Sequence, residues 1–279
     1  MKQLLLILAA VVLVGCGKKD LSEPQAKKPK TPKAGANETT VSKIHPKEEA
    51  KNPQPSKAIP ANIDDPILEK AIREQLEKPE GELTKADLEK VTRLELDDNQ
   101  LTELPKGLEK LTKLEVLILA DNQLTDVKGL EKLTQLTFLN LNYNQLTDVN
   151  GLENLTQLTK LYLRMNQLTD VRSLEKLTQL SSLALDGNQL TELPKGLEKL
   201  TQLTTLELRN NNLTDVKGLE KLTQLKLLRL DDNRLTDVKG LEKLTQLKEL
   251  KLWPNLDLTK AQIDQLKKAL PKCLIDQID

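Results

Sequence analysis

The sequence is short of aromatic side chains. Phe, Tyr and Trp together make up 1% of the 279 residues, and Leu supplies most of the apolar content. A globular enzyme of this length normally uses aromatic residues to fill an irregular core and to line a pocket. Their scarcity indicates a repetitive core in which one side-chain shape is used many times.

Histidine and cysteine are also scarce. His45 is the single histidine, and Cys16 and Cys273 are the two cysteines. A lone histidine without clustered ligands supports neither a metal site nor a His-based dyad, and two distant cysteines imply no disulfide framework. The sequence also lacks a phosphate loop and a Ser-His-Asp set, so we expect no enzymatic activity, no cofactor and no metal. Cys273 is predicted to be a buried free thiol.

Charge is balanced overall but unevenly distributed. Lys+Arg and Asp+Glu number 42 each, yet residues 17–62 hold 10 lysines against 5 acidic residues. Residues 63–279 hold 31 basic and 37 acidic residues, so a basic segment precedes an acidic one. Nucleic-acid binding needs a basic footprint, so we expect no nucleic-acid partner.

The chain begins with a positively charged start and an apolar run over residues 4–14, which is too short to span a bilayer comfortably. The next motif is Leu-Val-Gly-Cys at 13–16, and it is similar to the lipobox of bacterial lipoproteins. The resemblance implies a signal peptide over residues 1–15 and a lipid-modified Cys16. An ordinary signal peptide with an incidental cysteine is the alternative.

The segment over residues 16–62 is predicted to be a disordered, Lys- and Pro-rich tether, because it holds almost no large apolar residue. Two roles are open for its lysines: they contact anionic lipid or cell wall, or they only keep the segment solvated as a spacer. The lipoprotein resemblance implies a cell-envelope location with a lipid anchor in a membrane. Gly17 stands where an Asp would resemble an inner-membrane retention signal, which favours the outer membrane in an organism that has one.

A repeat begins near residue 94. The motif is L-x-x-L-x-L-x-x-N-x-L, as in LEVLILADNQL at 114–124, and its alternating leucines predict one short strand per copy. The asparagines are spaced by 22 or 23 residues; they are Asn99, Asn122, Asn144, Asn166, Asn188, Asn211, Asn233 and Asn255. An asparagine held inside a coil must be hydrogen-bonded.

This motif is similar to the leucine-rich-repeat signature, and its 22-residue class resembles the repeats of internalins. The resemblance implies an α/β fold: a right-handed solenoid with a parallel concave sheet and 3₁₀ turns on the convex side. Eight coils are expected over residues 93–256, with a helical N-cap over 63–92 and a helix-strand C-cap over 257–279. Capping signals at Thr84 and Thr259, and Pro66 and Pro271 at helix ends, support both caps.

The concave face is the predicted binding surface, because such solenoids bind there. All four aromatic residues fall on its outward positions, and these positions differ between copies while the convex loops hardly vary. Apolar residues from three adjacent coils are expected to form a patch, and arginines to form a polar rim or a solvated salt-bridge lattice. The candidate ligand-binding residues are Val116, Ile118, Phe138, Tyr143, Tyr162, Arg164, Met165, Arg209, Arg229 and Trp253.

The sequence therefore predicts a monomeric, membrane-tethered protein that binds a protein or peptide ligand through its concave face. A glycan ligand stays possible on these observations. The alternative is a structural cell-envelope spacer without a specific ligand. Divergence of the concave positions by drift alone would fit that alternative.

Overall fold

The computed structural model describes residues 59–276, and over this range the chain forms a solenoid with a single open sheet. Each turn of the solenoid, called a coil below, contributes one short strand. Within the described range the sheet is nine-stranded and parallel, and its strands are hydrogen-bonded in chain order. The strands are β1 (Arg93–Glu95), β2 (Val116–Ile118), β3 (Phe138–Asn140), β4 (Lys160–Tyr162), β5 (Ser182–Ala184), β6 (Thr205–Glu207), β7 (Leu227–Arg229), β8 (Glu249–Lys251) and β9 (Leu274–Ile275).

The predicted solenoid is thus confirmed, and its register follows the repeat. Coils 1 to 8 are numbered by the strands β1 to β8 that they contain. The central Leu of each of these strands points inward and is buried, as Leu117 and Leu139 are, while its two neighbours face outward. Equivalent positions lie side by side, so that Val116 is in register with Phe138. Outward residues therefore form straight columns across the sheet.

The convex side consists of short 3₁₀ turns, each stabilised by a local carboxylate. In most coils a left-handed Gly precedes the turn, and the Gly129 N–H donates to Glu131 Oε2 over 2.6 Å. Backbone donors of this kind, from its own N–H and from Gly151, hold the pKa of Glu153 below its usual value. The turns span Leu108–Lys110, Leu130–Lys132, Leu152–Asn154, Arg172–Lys176, Leu197–Lys199, Leu219–Lys221 and Leu241–Lys243.

A ladder of buried asparagines links successive coils. Asn166 Nδ2 donates to the carbonyls of Leu163 and, one coil earlier, Leu141, while its Oδ1 accepts the Leu146 N–H at 3.0 Å. The same pattern recurs from Asn122 to Asn255. Every rung therefore needs a preceding coil, and each asparagine satisfies backbone groups that the bend would otherwise leave unpaired.

Asn99 is the exception to the expectation that every repeat asparagine lies inside the coil. Its side chain is exposed and donates only to the nearby carbonyl of Asp97. The physical reason is its position in coil 1, because no earlier coil offers a carbonyl to bond. Its backbone N–H instead donates to Asn122 Oδ1 of the next coil, at 3.1 Å.

The N-terminal end of the core is covered by two helices, α1 (Pro66–Gln75) and α2 (Lys85–Leu88). Asp65 caps α1, and a reciprocal capping box between Thr84 and Asp87 begins α2. The capping signal at Thr84 is thus confirmed. Residues 60–62 contact both this cap and coil 1, since the Ala61 N–H donates to the Leu83 carbonyl and Lys110 Nζ of coil 1 donates to the Asn62 carbonyl. The predicted domain boundaries themselves stay predictions.

The C-terminal end is covered by helix α3 (Lys260–Ala269) and by strand β9. Thr259 and Gln262 form the expected capping box, and the helix ends before Pro271. Cys273 is only half-buried rather than fully buried, because it lies on the outermost turn of the cap; burial raises the pKa of its thiol to about 11. No helix within residues 59–276 is long and apolar enough to span a membrane.

Candidate binding surface

The concave face carries the four aromatic residues. Phe138 lies on β3 and Tyr162 on β4, while Tyr143 and Trp253 follow the strands of coils 3 and 8. Trp253 is separated from Tyr162 by four strand positions, which corresponds to about 19 Å. The structure therefore places the predicted patch residues on coils 2 to 4 and sets Trp253 apart at the C-terminal end.

The middle of the patch is a small packed aromatic group. The rings of Phe138 and Tyr162 meet edge to face, with 5.4 Å between centroids, and Val116 stands beside Phe138 in register. Such ring pairs contribute about 0.5–1.5 kcal/mol beyond simple burial. Ile118, Asn140 and Tyr162 occupy the same outward position on β2, β3 and β4, so Asn140 separates Ile118 from Tyr162. This central group is half-buried, so part of each side chain stabilises the sheet itself.

A second column runs along the edge of the concave face, formed by the residue that precedes each ladder asparagine. We call it the edge column. Its members in coils 1 to 7 all have left-handed backbone, with φ between 51° and 65°; they are Asp98, Asp121, Tyr143, Met165, Gly187, Asn210 and Asp232. Gly, Asn and Asp adopt this conformation most readily, and five of the seven residues are of these types.

Tyr143 and Met165 are the two exceptions in the edge column. They occupy adjacent coils, with φ of 55° and 53°, and their side chains are 53% and 47% exposed. A side chain without a local polar group costs about 1–2 kcal/mol in left-handed backbone. About half of each side chain remains in water, so the fold recovers only part of this cost by burying them.

Gly187, in the next coil, leaves room for the side chain of Met165. A Cβ at Gly187 would lie 2.3 Å from Met165 Sδ, which means that the thioether lies over the glycine in the next coil. Glycine therefore serves two purposes here, since it also adopts a φ of 65°. Tyr143, Met165 and Gly187 occupy successive positions of the edge column, and the Met165 thioether covers Gly187.

The three candidate arginines lie in a continuous ion-pair network on coils 4 to 7. Arg164 contacts Asp186 at 2.8 Å and Glu207 at 2.6 Å. Arg229 extends the network, with nitrogen–oxygen distances of 3.7 Å to Glu207 and 3.1 Å to Asp231. Arg209 contacts Asp231 at 3.1 Å and Asp232 at 2.9 Å. The lattice interpretation of the arginines thus matches their geometry, while their role toward a ligand stays a prediction.

The network is partly desolvated, as its pKa values indicate. Burial, reinforced by the charge of Glu207, raises the pKa of Asp186. Burial opposes the charge of Arg164 as well, yet Glu207 and Asp186 hold the pKa of Arg164 above its usual value. Arg164 also lies 5.8 Å from the ring centroid of Tyr162, and so joins the network to the aromatic group.

The near-identity of the convex loops has a partial structural explanation. The Glu of each Gly-Leu-Glu sequence bonds a glycine N–H, and aspartates such as Asp148 accept an N–H two residues on. The Thr-Gln pairs have no such explanation, since Thr134, Gln135 and their counterparts are exposed and their side chains form no hydrogen bond in the described structure. Exposed convex positions have therefore stayed alike while exposed concave ones differ.

Residues 59–276 contain no cluster of His, Cys, Asp and Glu arranged to hold a metal ion. Their buried side-chain nitrogen and oxygen atoms all have hydrogen-bond partners. Cys16, the predicted lipidation site, lies outside the described residues.

Comparison with known proteins identifies the family. The sequence matches the family described as Leucine Rich repeats (2 copies) over residues 89–132, 112–154, 156–199, 178–221 and 201–243, which together cover more than half of the chain. The chain belongs to the leucine-rich-repeat family. Proteins of this family typically mediate protein–protein binding and act as non-enzymatic scaffolds. A search of curated protein sequences found no significant match.

Solved structures of several leucine-rich-repeat proteins are similar to this chain. Internalin C2 from Listeria monocytogenes is 30% identical with a TM-score of 0.70, and the alignment covers 79% of this chain and 97% of the internalin chain. A leucine-rich-repeat protein of Leptospira interrogans is 32% identical with a TM-score of 0.56, over 68% of this chain and 56% of the other.

A third similar structure contains a bound partner. It is the ectodomain of the Arabidopsis thaliana membrane receptor kinase GASSHO1/SCHENGEN3, in complex with Casparian strip integrity factor 2. Identity is 29% and the TM-score 0.57, over 68% of this chain but only 24% of the receptor chain. This leucine-rich-repeat chain therefore corresponds to about a quarter of the plant ectodomain.

Proposed function

We infer that this leucine-rich-repeat protein is a tethered binding module of the cell envelope, which takes a protein partner on its concave face. The observation that carries this proposal is the pair Tyr143 and Met165. Both are large, exposed and apolar, and both stand on left-handed backbone in adjacent coils. Exposed aromatic and Met side chains are enriched at protein interfaces, where burying them contributes much of the binding energy.

A spacer without a ligand is the competing function, and it would need neither residue. Asp, Asn or Gly at these two positions would suit the backbone better and would remove an apolar surface from water. The uniform convex face supports the same conclusion, because repeats that diverged freely would differ at their exposed Thr-Gln pairs as well. Concave diversity is what selection for a partner would produce.

The tether completes the proposal. A lipid-modified Cys16 would hold the solenoid at a membrane, with the outer membrane favoured in an organism that has one. A diacylated cysteine with an acylated amine would give a stable anchor, because a single chain binds only marginally. The partner is proposed to be a protein or peptide, with a glycan as the alternative, and the solenoid is proposed to act as a monomer.

Site-specific crosslinking in cells that produce the protein tests the concave site. A photoreactive residue replaces Ser182 on the concave strand β5, and the control replaces Lys176 on the convex 3₁₀ turn that precedes this strand. We expect a discrete crosslinked species from position 182 only. Equal products from both positions, or none from position 182, would contradict binding on this face.

The anchor is tested separately by Cys16→Ser. We expect this variant to leave the membrane fraction, whereas Cys273→Ser, which removes the other cysteine, remains there. Labelling with a radioactive fatty acid should follow the same pattern. Release of wild type and Cys16→Ser alike, without label, would show that the leader acts as an ordinary, cleaved signal peptide. Retention of unlabelled Cys16→Ser would show that another element anchors the chain.

A further inference from the structure

Charge is distributed unequally around the exposed pair Tyr143 and Met165. Toward the C-terminus, on coils 5 to 7, the acidic residues Asp186, Asp231 and Asp232 are paired with arginines. Toward the N-terminus, on coils 1 and 2, Glu95 is paired with Arg93, whereas three aspartates lie open to solvent. The two sides of the apolar surface therefore offer different chemistry to anything that crosses it.

The open acidic residues are Asp97, Asp98 and Asp121. All three are exposed, and within residues 59–276 none forms an ion pair or a side-chain hydrogen bond. Asp98 and Asp121 belong to the edge column and directly precede Tyr143 in it, one coil apart. Successive coils are joined there by backbone bonds, since the Asp98 N–H donates to the Ala120 carbonyl and the Asp121 N–H to the Asn142 carbonyl. Carboxylates and apolar side chains thus form one continuous track.

We propose that the partner presents an extended segment that combines an apolar side chain with a nearby Lys or Arg, the apolar side chain lying on Tyr143 and Met165 and the basic one over Asp97, Asp98 and Asp121. This inference rests on the proposed concave-face function and gives it a partner chemistry. An acidic or uncharged segment would leave the carboxylates unpaired or repelled, and charge complementarity of this kind selects between partners of equal apolar content.

The geometry also sets the spacing in that segment. Coils are about 4.8 Å apart, so Asp121 lies about 5 Å from Tyr143 along the track and Asp98 about 10 Å. An extended peptide advances about 3.3 Å per residue. The basic residue should therefore follow or precede the apolar one by about one to four positions.

The test uses a phage-displayed library of random peptides, selected on the immobilised full chain. Peptides that bind wild type are then measured against two variants. The acidic-track variant is Asp97→Asn, Asp98→Asn and Asp121→Asn, in which asparagine keeps the shape and tolerates the left-handed backbone. The control removes the same charge from the convex side with Asp148→Asn, Asp215→Asn and Asp237→Asn, where Asn still accepts the N–H two residues on.

We expect the selected peptides to share an apolar residue with Lys or Arg within about four positions. Their affinity should fall about tenfold on the acidic-track variant, the size expected of three exposed charge pairs, and should not change on the convex control. Added salt should weaken wild type more than the acidic-track variant.

Two results would overturn the inference, and only the second would also contradict the proposed concave-face function. In the first, the peptides lose affinity for the double variant Tyr143→Asn with Met165→Asn but bind the acidic-track variant as tightly as wild type. That result would support the concave site and refute its basic partner. In the second, the selected peptides bind both the double variant and the acidic-track variant as tightly as wild type. That result would contradict the proposed function together with this inference.

Discussion

At the scale of single residues, the energetic role of an asparagine depends on the coil in which it stands. Asn166 and Asn99 occupy the same position of the repeat, yet Asn166 joins two coils through buried bonds while Asn99 makes one exposed local bond with its side-chain amide. Removing a buried partner leaves backbone groups unsatisfied, and each such group costs about 1–3 kcal/mol. Removing an exposed partner costs less, because the backbone group that it bonded can bond water instead.

We therefore predict that Asn166→Ala lowers the free energy of unfolding by about 3 kcal/mol and that Asn99→Ala lowers it by less than about 1 kcal/mol. Urea denaturation of both variants checks this, with unchanged m-values as the sign that the unfolding unit is the same. Equal losses from the two substitutions would show that the ladder is not what stabilises the bend.

The sequence predicts an inward asparagine at each repeat but not the exception at Asn99. The motif describes one coil, whereas burial of its asparagine depends on the coil before it. The left-handed edge column was also missed as a feature. A signal for it was present, because Asp, Asn or Gly precedes the repeat asparagine in five of the first seven coils. With that signal, Tyr143 and Met165 stand out as the misfits.

At the scale of secondary-structure elements, the caps are fixed by local signals and the ion-pair network is not. A capping box spans four residues and can be recognised from sequence, as at Thr84 and Thr259. Arg164 and Glu207 are separated by 43 residues, and their contact depends on side chains that reach across an intervening coil. The sequence is compatible with a rim and with a lattice alike, and the packed geometry adds which partners the arginines contact.

Helix α2 offers a pH-dependent test at this scale. Lys78 and Thr84 lead the contacts that hold the pKa of Asp87 far below its usual value of 3.8. A carboxylate whose pKa is depressed on folding contributes stability that is present above the unfolded pKa and is lost as the pH falls below it. Asp87 therefore stabilises the cap at neutral pH and progressively less below about pH 4.

We predict that Asp87→Ala lowers the free energy of unfolding by about 1–2 kcal/mol at pH 7, the range of a lost helix cap. The difference from wild type should narrow as the pH falls from 4 toward 2. Thermal unfolding across this pH range checks the sign. A difference that grows with acidification would contradict the depressed pKa.

At the scale of the whole molecule, the fold follows from the repeat because each coil contacts mainly its neighbours. A solenoid is close to one-dimensional, so the period, the inward leucines and the two caps suffice to predict the architecture. A binding surface has no such constraint. The concave residues are identified by being outward and unlike one another, and their arrangement into an aromatic group, an edge column and a charged network is set by side-chain packing.

The central claim is that Tyr143 and Met165 are present for a partner rather than for the fold, and the double variant Tyr143→Asn with Met165→Asn tests it most directly. Asparagine suits the left-handed backbone, so the free energy of unfolding should stay within about 1 kcal/mol of wild type or rise. Crosslinking from position 182 should fall below about a tenth of the wild-type yield, as loss of an interface hot spot requires. The control Asn210→Asp, in the same column, should leave both quantities unchanged. Wild-type crosslinking by the double variant would contradict the account.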